Sequence, residues 1–433
     1  MERGRGSRRR NPGHTGGPYR LLFLAVCLLF LFFALYAGKR LIGGEGEMET
    51  EVPFRQEAET EEDIKGKTAE TEKAGEKTEE QTERETERPV LQIYTGEENE
   101  EKEDTGEKEN AEEQTLTRQA DTVSLLFAGD IYLSEHVLNA YERGGGIEGV
   151  LDSGFLQTIE QADIFMANQE FPFSSRGTPE TDKQFTFRLP EEKVSIMQEI
   201  GPDIVALANN HALDYGSEAL SDTIRVLDEA GILHAGAGEN LDEAKALKTI
   251  EAGGKTFGFL AASRVFPKGY WAAGPDHPGM LTAYDSTVLL EEIQKAKESC
   301  DFLTVYVHWG IERRTEPESY QRTLGQQYID AGADLVIGSH PHVLQGIEYY
   351  KGKPIVYSLG NFVFGSSIPK TMLLQVEVPR EGDPALVLLP GTSSGGYTRM
   401  VADETEKEAF YRYMEGLSFG ITVDEAGRIR QAD

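Results

Sequence analysis

The stretch DLVIGSHPH, residues 334–342, decides the fold. Leu335 to Ile337, like Val305 to Val307 before them, form apolar runs without alternation, the mark of parallel strands buried on both faces. Gly338 ends the strand, and His340 and His342 follow on a turn stiffened by Pro341. In open α/β sheets ligands bind beyond the carboxyl ends of the strands. Two imidazoles two residues apart at such an end can hold neighbouring metal ions, although an isolated His-x-His pair also suits a cap or a core hydrogen bond. Its neighbours decide between these readings.

Working outward, Thr122 to Ala128 reads as a first strand, Asp163 to Ala167 as a second and Asp203 to Ala208 as a third, with Phe302 to Val307 preceding the quoted stretch. Helical spacing covers Val150 to Gln161, Glu191 to Ile200, Ser217 to Ala230 (closed by Gly231), Leu289 to Ser299 and Ser319 to Ala331. Shorter strands lie around His234 to Ala237 and Thr256 to Ala261. This alternation predicts a layered α/β sandwich with a largely parallel sheet. After Pro354 helices give way to strands at Ile355 to Leu359, Thr371 to Val378, Ala385 to Leu389 and Phe419 to Val423. These predict a second sheet packed on the first, with a hairpin turn at Asp424 to Gly427.

Polar residues collect where the strands end: Asp130, then Asn168 and Glu170, then Asn210 and His211, then His308, then His340 and His342. Carboxylate, amide and imidazole are the donors that hold hard or borderline divalent ions. Singly, each is ordinary: a strand-end aspartate caps a helix, an Asn-Asn pair makes a turn. Together at one sheet edge they point to a metal centre. Asp214, three residues after His211, is either its hydrogen-bond partner or a turn residue. Arg188 offers a bidentate clamp for a substrate carboxylate or phosphate, or pairs with surface acids. Asn361, after Gly360, orients a ligand or closes a turn. Trp271 and Trp309 suit the core better than a cleft wall.

The motifs GDIYLSEHV, FMANQEFPF, ALANNHALDYG, YVHWGIE, VIGSHPHVLQG and YSLGNFVF, spread in order over Leu125 to Phe364, resemble those of the CapA proteins of poly-γ-glutamate capsule synthesis. That family is similar in fold to calcineurin-like metallophosphoesterases, so the resemblance implies two mixed sheets between helices around one or two divalent ions of the Mn, Fe or Zn kind. It further implies Asp130 and His342 on a first metal, Glu170 bridging, Asn210, His308 and His340 on a second, and His211 as the catalytic histidine, stabilising or protonating a leaving group. Two positions depart from the metallophosphoesterase pattern. Tyr132 stands where a histidine follows the leading aspartate, and Glu170 replaces a bridging aspartate.

The amino terminus has another character. Residues 1–20 carry six arginines, and Leu21 to Ala37 is an uncharged apolar run closed by Lys39 and Arg40. Seventeen residues at 1.5 Å each is the short end of a membrane span, and the leading arginines place that side in the cytoplasm. A cleaved signal peptide competes, but Leu35 and Tyr36 spoil its cleavage pattern, and Val26 spoils a lipid box at Cys27. Residues 41–120 hold 27 acidic and 10 basic side chains with hardly an aromatic, the composition of a disordered linker. The expected plan is a cytoplasmic tail (1–20), a signal anchor (21–40), an acidic linker (41–120) and an extracytoplasmic domain (121–433). Cys27 and Cys300 are the only cysteines, so the domain has no disulfide framework.

The whole chain carries a net charge of −32, and residues 121–433 hold 47 acidic against 25 basic side chains. That balance argues against nucleic acid. The expected role, from the resemblance, is in making, exporting or releasing an anionic polymer such as poly-γ-glutamate beside membrane synthase subunits. It is filled either by a metal-dependent hydrolase or transferase, or by a scaffold subunit. A small-substrate phosphoesterase is the remaining alternative.

Overall fold

The apolar run that opens the domain continues past its last alanine. In the computed structural model, which describes residues 122–432, strand β1 is Thr122–Ile131 and includes Gly129 and Asp130. Helices α1 (Glu135–Gly144) and α2 (Ser153–Gln161) lead to β2 (Ile164–Gln169), α3 (Val194–Ile200) to β3 (Ile204–Ala206), and α4 (Ser217–Ala230) to β4 (Leu233–Ala235). The Asp152 carboxylate caps α2 by accepting from Phe155 N–H at 2.9 Å, so this helix starts three residues later than its apolar spacing suggested. Strand β5 (Ala237–Gly238) and helix α5 (Leu241–Ala244) precede a hairpin of β6 (Lys248–Ala252) and β7 (Lys255–Ser263). Next come β8 (Gly279–Met280), α6 (Thr287–Lys297), β9 (Phe302–His308), α7 (Ser319–Ala331) and β10 (Leu335–Ser339). Strands β11 (Ile347–Tyr350), β12 (Lys353–Val356), β13 (Asn361–Val363), β14 (Ser367–Pro379), β15 (Ala385–Ser394) and β16 (Tyr397–Met400) follow, then α8 (Glu404–Leu417), β17 (Ile421–Val423) and β18 (Ile429–Gln431).

Two mixed sheets form. The first has the order β16-β15-β14-β1-β2-β3-β4 with β13 also on β1; the second is β11-β12-β10-β9-β7-β6. β1 to β4 are parallel, as are β7, β9, β10 and β12. One apolar layer, including Phe127, Met166, Phe259, Tyr306 and Ile337, fills the space between the sheets. A second lies between the first sheet and α2, α3 and α4 through Phe155, Met197 and Leu227. A third lies between the second sheet and α6 and α7 through Ile293 and Tyr328. The order of layers is helix, sheet, sheet, helix.

The expected layers are present, but their membership differs. The parallel strands do not share one sheet: they divide after β4, because a period-free apolar strand fits either sheet equally well. The strands expected to build the second sheet also divide. β12 joins β10, whereas β14 and β15 extend the first sheet antiparallel to β1. Helix α8 falls where only strands were expected. The Asp424 to Gly427 turn does close a hairpin, but of the separate pair β17-β18. The tail at 1–20, the anchor at 21–40 and the linker at 41–120 lie outside the described residues. Among the described residues no helix is long and apolar enough to cross a membrane.

Candidate metal centre

Strand β1 delivers Asp130 through a break in its alternation. Leu125 and Phe127 face the second sheet while Leu126 and Ala128 face the helices, and strict alternation would send Asp130 to the helices too. Instead the register against β2 shifts between Phe127 and Asp130. This bulge changes the parity, so Ile131 joins the helix-side core and the Asp130 carboxylate meets the His340 N–H from the second sheet at 3.4 Å. Only glycine fits beside it, since a Cβ on Gly129 would stand 1.8 Å from the Gly360 carbonyl oxygen. Regular alternation does the rest: Ile164 and Met166 on β2 lead to Asn168, and Phe302 and Tyr306 on β9 lead to His308.

The polar strand ends therefore come from two sheets whose carboxyl edges meet, not from one edge. Glu170, placed by its N–H donating to Ile131 O at 2.9 Å, has Oε1 3.5 Å from His308 Nε2 and Oε2 3.8 Å from His342 Nδ1. His308 Nε2 is also 2.7 Å from Asn210 Oδ1 and 3.1 Å from His340 Nδ1. His342 Nδ1 lies 3.4 Å from Asp130 Oδ2 and 2.8 Å from Asn361 Oδ1, so Asn361 orients the ring. Ligand atoms of Glu170, His340 and His342 all fall within 4.8 Å of one another. His340 and His342 reach this point with φ of 99° and 59°, a conformation that costs on the order of 1–3 kcal/mol at each residue.

The donor set fits a cation. Glu170 is fully buried and neither of its oxygens has a hydrogen-bond partner, an arrangement costly for a carboxylate unless a positive charge is supplied. Asp130 is better provided. Burial raises its pKa, but the hydrogen bond and charge of His342, then His308 and Asn168, hold it below the usual carboxylate range. Burial lowers the His342 pKa, but Glu170, Asp130 and Asn361 outweigh it and push the imidazole up to about 10. The proton on His342 answers the two carboxylates, and a metal ion would have to displace it. His340 has no such support, and burial, then His308 and His342, keep it well below the usual histidine value.

Beside this cluster His211 has a separate set of partners. Its Nδ1 is 2.6 Å from Asp214 Oδ2, which resolves Asp214 as a partner and not a plain turn residue. Lys183 donates to Asp214 Oδ1 and to the Asn210 carbonyl, and its Nζ lies 3.0 Å from His211 Nδ1. Burial, then Lys183, hold His211 well below its ordinary pKa. In the tautomer whose Nδ1–H donates to Asp214, Nε2 is left as an acceptor. Burial raises Asp214 to about 7 against the pull of Lys183. Phe187 stacks on His211 and, on its other face, on Tyr132, each at 3.9 Å between centroids. The side chain at the departing position 132 thus joins an aromatic pile instead of the cluster.

Nine of the ten expected site residues meet here: Asp130, Glu170, Asn210, His211, Asp214, His308, His340, His342 and Asn361. Arg188 does not, because its guanidinium stacks on Tyr215 at 3.9 Å and donates to the Arg176 carbonyl. Trp309 and Trp271 are fully buried, the former donating to Tyr357 O at 2.9 Å. Sequence reasoning missed Lys183 and Phe187, which sit on a long irregular segment without periodicity. It also missed Asn209, which donates to Asn168 Oδ1 at 3.1 Å while Asn168 donates to Asp130 Oδ1 at 2.8 Å. The Asn-Asn pair was the available signal.

Comparison with known proteins agrees with the motifs. Capsule biosynthesis protein CapA of Bacillus anthracis is 32% identical over 310 residues, covering 69% of this chain and 74% of that protein. PGA biosynthesis protein CapA of Bacillus subtilis is 34% identical over 278 residues, covering 62% and 71%. A phosphatase of known crystal structure from Mycoplasma pneumoniae superposes with a TM-score of 0.40 at 14% identity, over 63% of this chain and 95% of that one. The model of the bacterial capsule synthesis protein PGA_cap matches residues 124–366, more than half of the 433. The chain belongs to the PGA_cap family of bacterial capsule synthesis proteins.

Proposed function

We propose that the domain is a metal-dependent hydrolase or transferase that acts on poly-γ-glutamate while the polymer is made or released. The observation that carries this reading is Glu170, a buried carboxylate without a hydrogen bond, ringed by His308, His340 and His342. The polymer comes from the capsule and PGA roles in the relatives' names. Glu170, His340 and His342 would hold one ion, and Asp130, Asn210 and His308 complete the ligand set for it or for a second. A divalent ion supplies Lewis acidity and a nucleophile at neutral pH. The chain's own part is proton handling and orientation. His211, neutral and fixed by Asp214 and Phe187, offers Nε2 to a proton or a polarised group, while Asn361 fixes the His342 ring.

The experiment is metal analysis of the full chain together with a chain-length assay on poly-γ-glutamate. Bound divalent metal is expected, as is shortening of the polymer that disappears in Asp130→Ala and His342→Ala. A scaffold role in a membrane synthase is the second reading, favoured by Tyr132 stacking away from the cluster. Unchanged polymer output in Asp130→Ala would establish it over the first. Both readings place the domain outside the cell membrane, tethered through residues 21–37, and protease added to intact cells should then release it.

A further inference from the structure

Arg264 leaves β7 beside the cluster, its N–H donating to the His308 carbonyl at 2.8 Å. Its guanidinium is held in advance. Cζ lies 4.6 Å from the Tyr284 ring centroid and 4.4 Å from that of Tyr320, and Nη1 donates to the carbonyls of Ala283 and Tyr284, each at 3.3 Å. Tyr320 is itself fixed by accepting from Gly310 N–H at 2.9 Å. The remaining edge, Nε with Nη2, is the one that grips a carboxylate through two parallel bonds, and it has no partner among the described residues.

Nor does any described carboxylate form an ion pair with Arg264. Elsewhere in the domain Arg176 holds Asp222, Arg225 holds Glu191, Arg322 holds Glu348 and Arg428 holds Glu377. In a domain with 47 acidic and 25 basic side chains, an ordered guanidinium without an acid is placed to receive one from outside. Because its rotamer is already fixed, little ordering cost falls on binding.

We propose that the Nε and Nη2 edge of Arg264, a residue whose backbone bonds that of His308 in the metal cluster, is a carboxylate-binding subsite taking a free α-carboxylate of the γ-linked polymer; this rests on the polymer reading above. The test is calorimetric titration of the full chain with a synthetic γ-linked glutamate oligomer, its counterpart with the free α-carboxylates amidated, and an α-linked glutamate oligomer of equal length. Arg264→Gln is expected to weaken the γ-linked acid about tenfold or more. Arg264→Lys should do nearly as much, because an ammonium lacks the fork. The amidated oligomer should bind the parent as weakly as the acid binds Arg264→Gln, with no further loss in the variant.

Equal weakening of acid and amide by Arg264→Gln would mean a structural role and overturn the subsite. So would γ-linked binding indifferent to Arg264. Arg264-dependent binding of the α-linked acid alone would keep the subsite and overturn the poly-γ-glutamate reading, and binding of neither acid would overturn both.

Discussion

Two buried carboxylates, each a few ångströms from a histidine of the centre, are treated in opposite ways. Asp214 has its counter-charge built in, since Lys183 reaches it from an irregular segment thirty-one residues upstream and is itself nearly buried. Glu170 has only a shared one: the His342 proton, 3.8 Å from its Oε2, also answers Asp130, and neither Glu170 oxygen accepts a hydrogen bond. The chain can neutralise a buried acid when the acid has only to orient a histidine. Where it leaves one without a hydrogen bond, the site is fitted to a cation from solution.

Breaking the Asp214 side should have the largest effect. Lys183→Met leaves a buried aspartate without its cation, and denaturant unfolding should show a loss of about 3–5 kcal/mol. The double variant Lys183→Met with Asp214→Asn should recover most of it. A single variant with parental stability would mean that Asp214 is not charged in the folded protein.

Glu170→Gln should act in the other direction. The metal-free variant is expected to unfold at a higher temperature than the metal-free parent. The stabilisation that the parent gains from divalent ion, about 2.7 kcal/mol at a hundred times the Kd, should vanish. A metal-free parent more stable than the variant would show that the shared His342 proton suffices for Glu170 without an ion.

A smaller signal comes from His342. Its pKa, raised to about 10 by Glu170, Asp130 and Asn361 against burial, gives the metal-free protein stability that is complete below the unfolded value of about 6.5 and is lost as pH rises towards 10. Metal uptake near pH 7 must expel that proton. Calorimetry in buffers of differing ionisation heat should report about one proton released per ion, and release of none would remove His342 from the ligand set.

The smallest effect should come from a pair whose cation alone is at the surface. Asp222 is held below its usual pKa first by the hydrogen bond from Arg176, a residue more than half exposed. Arg176→Gln should lower the unfolding midpoint only slightly above about pH 4. The difference should fade as acid protonates Asp222. A loss comparable to that of Lys183→Met would erase the distinction between a buried and an exposed counter-ion.

What the sequence disclosed follows from how each residue is placed. His308, His340 and Asn168 sit at strand ends, where period-two alternation fixes the face, and so they were legible. Lys183 and Phe187 were not, because a segment without periodicity carries no information about where it lands. The division of the parallel strands between two sheets was hidden for a related reason. An apolar run records that both faces are covered, not which neighbours lie alongside. Helix α8 was overlooked because only Phe410, Tyr411 and Met414 of its fourteen residues are buried, too thin a stripe to stand out. Arg188 shows the limit of reading a charge by type, since a tyrosine ring met it where an anion was expected.

The bulge in β1 has one more implication. Removing Gly129 would take out the extra residue and restore strict alternation, leaving the Asp130 carboxylate facing the second sheet and the ladder and apolar layers free to form as before. A single deletion would then remove the bulge while keeping the ligand's direction, so metal binding by that variant would separate the bulge's local geometry from the facing it sets. In this scaffold the direction of the aspartate is set by the residue count and the bulge together, not by the aspartate alone.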